Sequence, residues 1–165
     1  MIKGFFVVCI VFALFGCSEE TLETGLTLEQ RVINLLEEND INYKDIIEYD
    51  LKDNYIFVIY QLNEIGNALG VASIENTTDG LELRHNADGS SPVTLIVGEE
   101  DAPIVTLYQP RETSNIKEVN VFGKTARKVL YHDNLMEGVT IEKTYWIAYS
   151  YIIPDFFEDI EIIEE

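Results

Sequence analysis

Ser114-Asn115-Ile116-Lys117 has the spacing of a nucleophilic serine and the lysine that activates it, and Lys124-Thr125-Ala126 comes close to a companion element of the same chemistry. That chemistry needs the serine to open a helix, so that the lysine returns beside it one turn later. The segment after Ser114 instead reads as a strand, where a residue three positions on points to the opposite face. Gly123-Lys124-Thr125 has the ending of a phosphate-binding loop, but Glu118 stands where its first glycine belongs. His85 and His132 lack a second histidine or cysteine at ligand spacing, and both are expected at strand ends as exposed imidazoles. Asp50 with Asp53, Asp79, and Asp88 with Glu99-Glu100-Asp101 offer oxygens to calcium, yet none fits the alternating-ligand loop with its glycine. Paired carboxylates for glycoside hydrolysis are defined in space, and nothing here selects a pair. Tyr145-Trp146, Tyr149 and Tyr151 form the densest aromatic cluster. In a strand, Tyr145, Ile147, Tyr149 and Tyr151 share one face, Trp146, Ala148 and Ser150 the other, and apolar members on both faces point to core packing. No catalytic residue, metal ligand or cofactor is expected.

The most definite chemistry belongs to Cys17. Lys3 supplies one positive charge, and an uncharged apolar run follows over residues 5–16. A bilayer-spanning helix needs about 20 apolar residues and a secretory signal roughly 7 to 15, so the run has signal-peptide length. It closes in Leu14-Phe15-Gly16-Cys17, an aliphatic residue three before the cysteine and a small one just before it. This resembles the lipobox of bacterial prolipoproteins. The resemblance implies diacylglycerol on the Cys17 thiol, cleavage between Gly16 and Cys17, and acyl chains such as palmitate in the membrane lipid. Two such chains hold stably, because each buried methylene contributes about 0.8 kcal/mol.

Cys9 then leaves with the signal peptide and Cys17 is modified, which accounts for both cysteines and leaves no disulfide. The expected organisation is a signal peptide over 1–16, a lipid-anchored flexible linker over 17–26, and a single β-rich extracytoplasmic domain over 27–165, with a candidate internal boundary near 90–92. The full chain carries 30 acidic against 11 basic side chains. Losing Lys3 makes the balance more negative still. Such a body is repelled by nucleic acid and by anionic lipid, which excludes nucleic acid as a partner and favours solubility and standing off from the membrane. A basic protein or a wall component is the partner class that this charge admits.

Thr27-Leu28-Glu29-Gln30 matches a helix capping box, and Leu28, Val32, Leu35 and Leu36 follow as one apolar stripe. A helix is predicted to run to Glu38 and stop at Asn39-Asp40. Strand signals follow over 46–52, 55–62, 69–75, 81–85, 93–97, 103–108, 116–122, 125–132 and 143–152. Asp53-Asn54 and Phe122-Gly123-Lys124 read as tight turns, Asn76-Thr77-Thr78-Asp79-Gly80 and Asn86-Ala87-Asp88-Gly89 as connectors. Tyr55-Ile56-Phe57-Val58-Ile59-Tyr60 is apolar at both alternating sets of positions, marking a central strand covered on both sides, with the helix on one. After Pro154 the tail is acidic, and Ile160, Ile162 and Ile163 suit an edge strand or a frayed end. The fold class is mainly β (α+β by count): antiparallel sheets, sandwich-like or strongly bent, with one N-terminal amphipathic helix.

Three stretches carry a wider resemblance: Tyr55-Ile56-Phe57-Val58-Ile59-Tyr60 with Ala68-Leu69-Gly70-Val71-Ala72, Ile116-Lys117-Glu118-Val119-Asn120-Val121-Phe122-Gly123-Lys124-Thr125-Ala126, and the strand around Trp146. In these the chain resembles small uncharacterised lipoproteins of Gram-positive, spore-forming bacteria. A monomer is expected, held by lipid at Cys17 on the extracytoplasmic face of the cell membrane. The expected role is non-enzymatic binding in the cell envelope. A small envelope hydrolase and an inhibitor-like binding module are the alternatives.

Overall fold

The computed structural model describes residues 25–63, 68–89, 92–99, 101–111, 114–136 and 138–165. Gly16, Cys17 and the signal segment lie outside them, as do Ser90 and Ser91 of the candidate boundary.

Helix α1 spans Leu28–Glu38. Its start is fixed as the capping box predicts. The Thr27 hydroxyl accepts from Gln30 N at 3.2 Å, and the Gln30 side chain accepts from Thr27 N at 2.8 Å. Asp40 in the left-handed region turns the chain away beyond the C-cap Asn39. Val32 and Leu36 are buried, whereas Leu28, on the same stripe, stays 48 % exposed.

Among the described residues eleven strands follow. β1 (Tyr43–Lys52), β2 (Tyr55–Leu62), β3 (Leu69–Thr77) and β4 (Gly80–Gly89) form an antiparallel meander, sheet A, in the order β1-β2-β3-β4. β5 (Val93–Val97), β6 (Ile104–Gln109), β9 (Arg127–Met136) and β10 (Val139–Ser150) form sheet B, in the order β5-β6-β10-β9. β7 (Ile116–Val121), β8 (Lys124–Thr125) and β11 (Ile160–Glu164) form sheet C, in the order β11-β7-β8. All pairings are antiparallel.

Side-chain alternation stacks these elements in four layers. Ile56, Val58 and Tyr60 of β2 meet Val32 and Leu36 of α1. Phe57 and Ile59, on the other face, pack with Leu95, Val105, Leu107, Tyr145 and Ile147 of sheet B. The odd positions of β10 thus close the sandwich between sheets A and B. Its even positions Trp146 and Ala148 turn to sheet C, where Val119, Val121 and Ile160 cover them. Lys128, opposite Trp146 in β9, sets its ammonium 5.3 Å from the indole centroid. The aromatic strand is core on both faces, and β2 is the covered central strand that its composition predicts.

Three expectations change, and one left open is decided. Asn86-Ala87-Asp88-Gly89 is not a connector: β4 continues through it, paired with Leu69 to Ala72 of β3. Its polar residues occupy an edge strand, where alternation tolerates them. His85 and His132 consequently sit inside β4 and β9 rather than at strand ends, while His132 does face solvent. The predicted strand over 125–132 is two, broken at Ala126, which is buried under sheet C and donates to Val119 O at 2.8 Å where the chain passes from sheet C to sheet B. The tail is an edge strand, β11, registered on β7 from Ile160 opposite Val121.

Candidate interaction surface

Two polar clusters join β1 of sheet A to β9 and β10 of sheet B. Asp133 of β9 is 1 % exposed. It accepts from Lys143 Nζ at 2.7 Å and from Lys44 Nζ at 2.9 Å, and Lys44 also donates to Asn134 O at 2.7 Å. Burial alone would raise the Asp133 pKa. Hydrogen bonds from Lys143, Gln61 and Lys44, with the Lys143 charge, outweigh it and hold the carboxyl at about 2 against an ordinary 3.8. Further along β1, Arg127 donates to Glu48 Oε1 at 2.8 Å and Asp50 Oδ2 at 2.5 Å, while the Tyr145 hydroxyl donates to Glu48 Oε2 at 2.7 Å. Burial, then the bond to Glu48, pushes the Tyr145 phenol up; burial and the Asp50 charge do the same at Tyr149. A carboxylate saturated by cations and a Tyr145 phenol bound as donor to Glu48 are poorly suited to act as nucleophile or general acid near neutrality. These clusters clamp one sheet edge to the other.

At the end of sheet A where α1 stops, Asn39, Asp40, Asn42, Asn86 and Asp88 surround a hollow of about 240 Å³. Two of these residues hold Tyr60, fully buried, whose hydroxyl donates to Asp88 Oδ1 at 2.6 Å and touches the Asn86 amide. Burial, then the Asp88 hydrogen bond, pushes this phenol up as well. The Tyr60 ring lies on Gly70 of β3, where a Cβ would come within 2.3 Å of it.

The opposite end is apolar and built to stay exposed. From Ser150 the chain crosses over residues 151–159 to β11. The Tyr151 hydroxyl donates to Asp53 of the β1–β2 turn. Asp155 Oδ1 accepts from Phe157 N at 2.8 Å and Glu158 N at 3.2 Å, and Asp159 Oδ2 accepts from Asp155 N at 2.8 Å. Asp159 O accepts from Phe122 N at 2.8 Å, docking this turn on the β7–β8 turn, and Pro154 is buried beneath. The tied backbone holds apolar side chains outward. Phe157 is 90 % exposed, Ile152 69 % and, beside the β1–β2 turn, Leu51 66 %; Tyr151 and Ile153 are also exposed. Phe156 meets Phe157 edge-to-face at 5.1 Å between ring centroids and leans toward Tyr108 and Ile162. Burying one such side chain is worth about 1.5 to 3 kcal/mol, which this loop forgoes. Large apolar side chains left exposed along one tied loop mark a contact surface.

Helix α1 begins at this same end. Leu26 and Arg31 line a hollow of about 450 Å³ with residues 76–81 around the β3–β4 turn, and the Glu29 charge reaches Tyr49 near the end of β1. In an up-and-down meander the β1–β2 and β3–β4 turns lie at one end.

The residues singled out from sequence are dispersed. Lys117 is the second residue of β7, beyond Ser114, and Thr125 donates to Glu118 Oε1 at 2.9 Å. Asp50 is held by Arg127, Asp53 by Tyr151 and Asp88 by Tyr60, while His85 Nε2 lies 3.7 Å from Glu99, beyond hydrogen-bond reach. Among the described residues no three His, Cys, Asp or Glu side chains converge on one point. Two features went unread: the Asp133 cluster, in which Lys44 and Asp133 lie 89 positions apart, and the loop at Phe157, whose signal was two aromatics beside Pro154 just after a strand.

No family model, curated protein or solved structure matches this chain.

Proposed function

We infer that this chain is a lipid-anchored lipoprotein of the bacterial cell envelope, of the kind the Leu14-Phe15-Gly16-Cys17 segment suggests, and that its body is a non-enzymatic binding domain. The observation that carries the binding reading is the loop over 151–159, which spends backbone hydrogen bonds to hold Ile152 and Phe157 in solvent. An enzyme would need a cleft with an acid or base that titrates near neutrality, whereas the buried Asp133 carboxylate is held ionised there by its cations. Lipid at Cys17 supplies the attachment. Among the described residues no helix is long and apolar enough to cross a membrane.

Two measurements test this. Wild-type protein should sediment with membranes and incorporate labelled palmitate, and Cys17→Ala should do neither. A photo-crosslinking side chain at position 157 in intact cells should yield adducts with envelope material. Absence of adducts together with turnover of an envelope substrate by the purified body would overturn the binding reading in favour of a hydrolase.

A further inference from the structure

We propose that the apolar end formed by Leu51, Ile152, Ile153 and Phe157 is seated in the outer leaflet of the bilayer that holds the anchor, so that the body lies against the membrane by this end. The proposal rests on the reading of Cys17 as a lipid anchor and names what its binding surface binds.

Three observations converge. The first is position. Thr27, the N-cap of α1, lies ten residues after Cys17, and ten residues reach at most about 35 Å whatever their path. The tether therefore joins the body at the end that carries the patch. The second is construction. The exposed side chains sit on a turn closed by Asp155 and Asp159 and docked at Phe122, so insertion needs no ordering of the loop. The third is the chemistry of the patch. It presents exposed aromatic and aliphatic groups, with Tyr151 fixed by Asp53, and open hollows beside Phe156 and Phe157. A fluid apolar phase accepts such a tip without shape complementarity. Because the tether already confines the body, a shallow contact too weak to bind from solution becomes occupied.

Charge sets a condition. Asp53, Asp155, Glu158 and Asp159 flank the tip, so a strongly anionic lipid surface opposes contact and a zwitterionic one permits it. The acidic body stands off from the membrane everywhere except at this tip.

The test uses the full lipoprotein purified from membranes, labelled with an environment-sensitive fluorophore at Phe157→Cys and, separately, at Asn42→Cys on the opposite end. Both positions are exposed. Flotation with phosphatidylcholine vesicles and the mass of the lipidated N-terminus report on the anchor. The fluorophore reports on the tip. The expected result is a blue shift and protection from aqueous quencher at 157 and neither at 42, weakening as phosphatidylglycerol is added. A chain that floats while the 157 label stays water-like overturns the seating and leaves the anchor reading intact. A chain that neither carries lipid nor floats overturns the anchor reading, and the seating with it. A 157 shift that grows with protein concentration in detergent, without vesicles, assigns the tip to a second copy and also overturns the proposal.

Discussion

Replacing Asp133 by Asn removes one negative charge from a site where two ammonium groups converge. Lys143 is buried with it, whereas Lys44 is a third exposed and shares its charge with solvent. Breaking a buried pair from one side costs about 3 to 5 kcal/mol, because the other charge stays behind. Part of that cost depends on pH in a way that can be worked out. The folded carboxyl titrates at about 2 and an unfolded one near 3.8. At 1.36 kcal/mol per pKa unit, the difference contributes about 2 kcal/mol of stability. A depressed folded pKa places that contribution in full above the unfolded value, so it is complete at pH 7. It fades as pH falls through 3.8 toward 2, and about half, on the order of 1 kcal/mol, is gone by pH 3. Urea unfolding of wild type and Asp133→Asn, followed by Trp146 fluorescence at pH 7, 5 and 3, measures it. With an m-value of about 2 kcal/mol/M, the gap between midpoints should shrink by about 0.5 M between pH 7 and pH 3. A gap that is constant across this range, or a variant within 1 kcal/mol of wild type at pH 7, would refute the clamp.

Gly70→Ala should destabilise the domain by about 1 to 3 kcal/mol, since the Tyr60 ring lies against Gly70 and its hydroxyl is held by Asp88; thermal unfolding measures the loss. Thr27→Ala removes the cap acceptor of α1 and should cost about 1 kcal/mol, whereas Thr27→Ser should be nearly neutral in the same denaturation assay. Tyr145→Phe should cost about 1.5 kcal/mol by deleting the hydrogen bond to Glu48, and a double-mutant cycle with Arg127→Ala should show the two coupled through that carboxylate. Phe157→Ser should leave stability within about 0.5 kcal/mol of wild type, because its side chain is already in solvent; a larger loss in urea would show that the ring is packed.

What was legible from sequence follows from how local each signal is. The start of α1 is written in four consecutive residues, and the structure forms both capping hydrogen bonds. The two-sided burial of β2 and of the aromatic strand β10 could be read from alternation alone, because every second side chain shares a face. Alternation misled at Asn86-Ala87-Asp88-Gly89, where turn-forming types occupy an edge strand and two of them serve Tyr60. The Asp133 site was out of reach, since Lys44 and Asp133 meet only when sheet A closes on sheet B. The loop at Phe157 hid in a tail whose acidity drew the eye. There Asp155 and Asp159 are loop-closing acceptors rather than solvated charge.

The inward charges of β1 have one further consequence. An outermost strand with free amides and carbonyls is a template on which an identical molecule can add itself. β1 spoils that template twice: its ladder with β2 is interrupted at Tyr43/Asp45 and again at Ile46/Glu48, and Lys44, Glu48 and Asp50 are engaged across the sandwich. A neighbour pairing there would meet a kinked ribbon and have to pull ion pairs apart. With no cysteine among the described residues to lock the correct pairing, that discourages one domain from growing into a fibre.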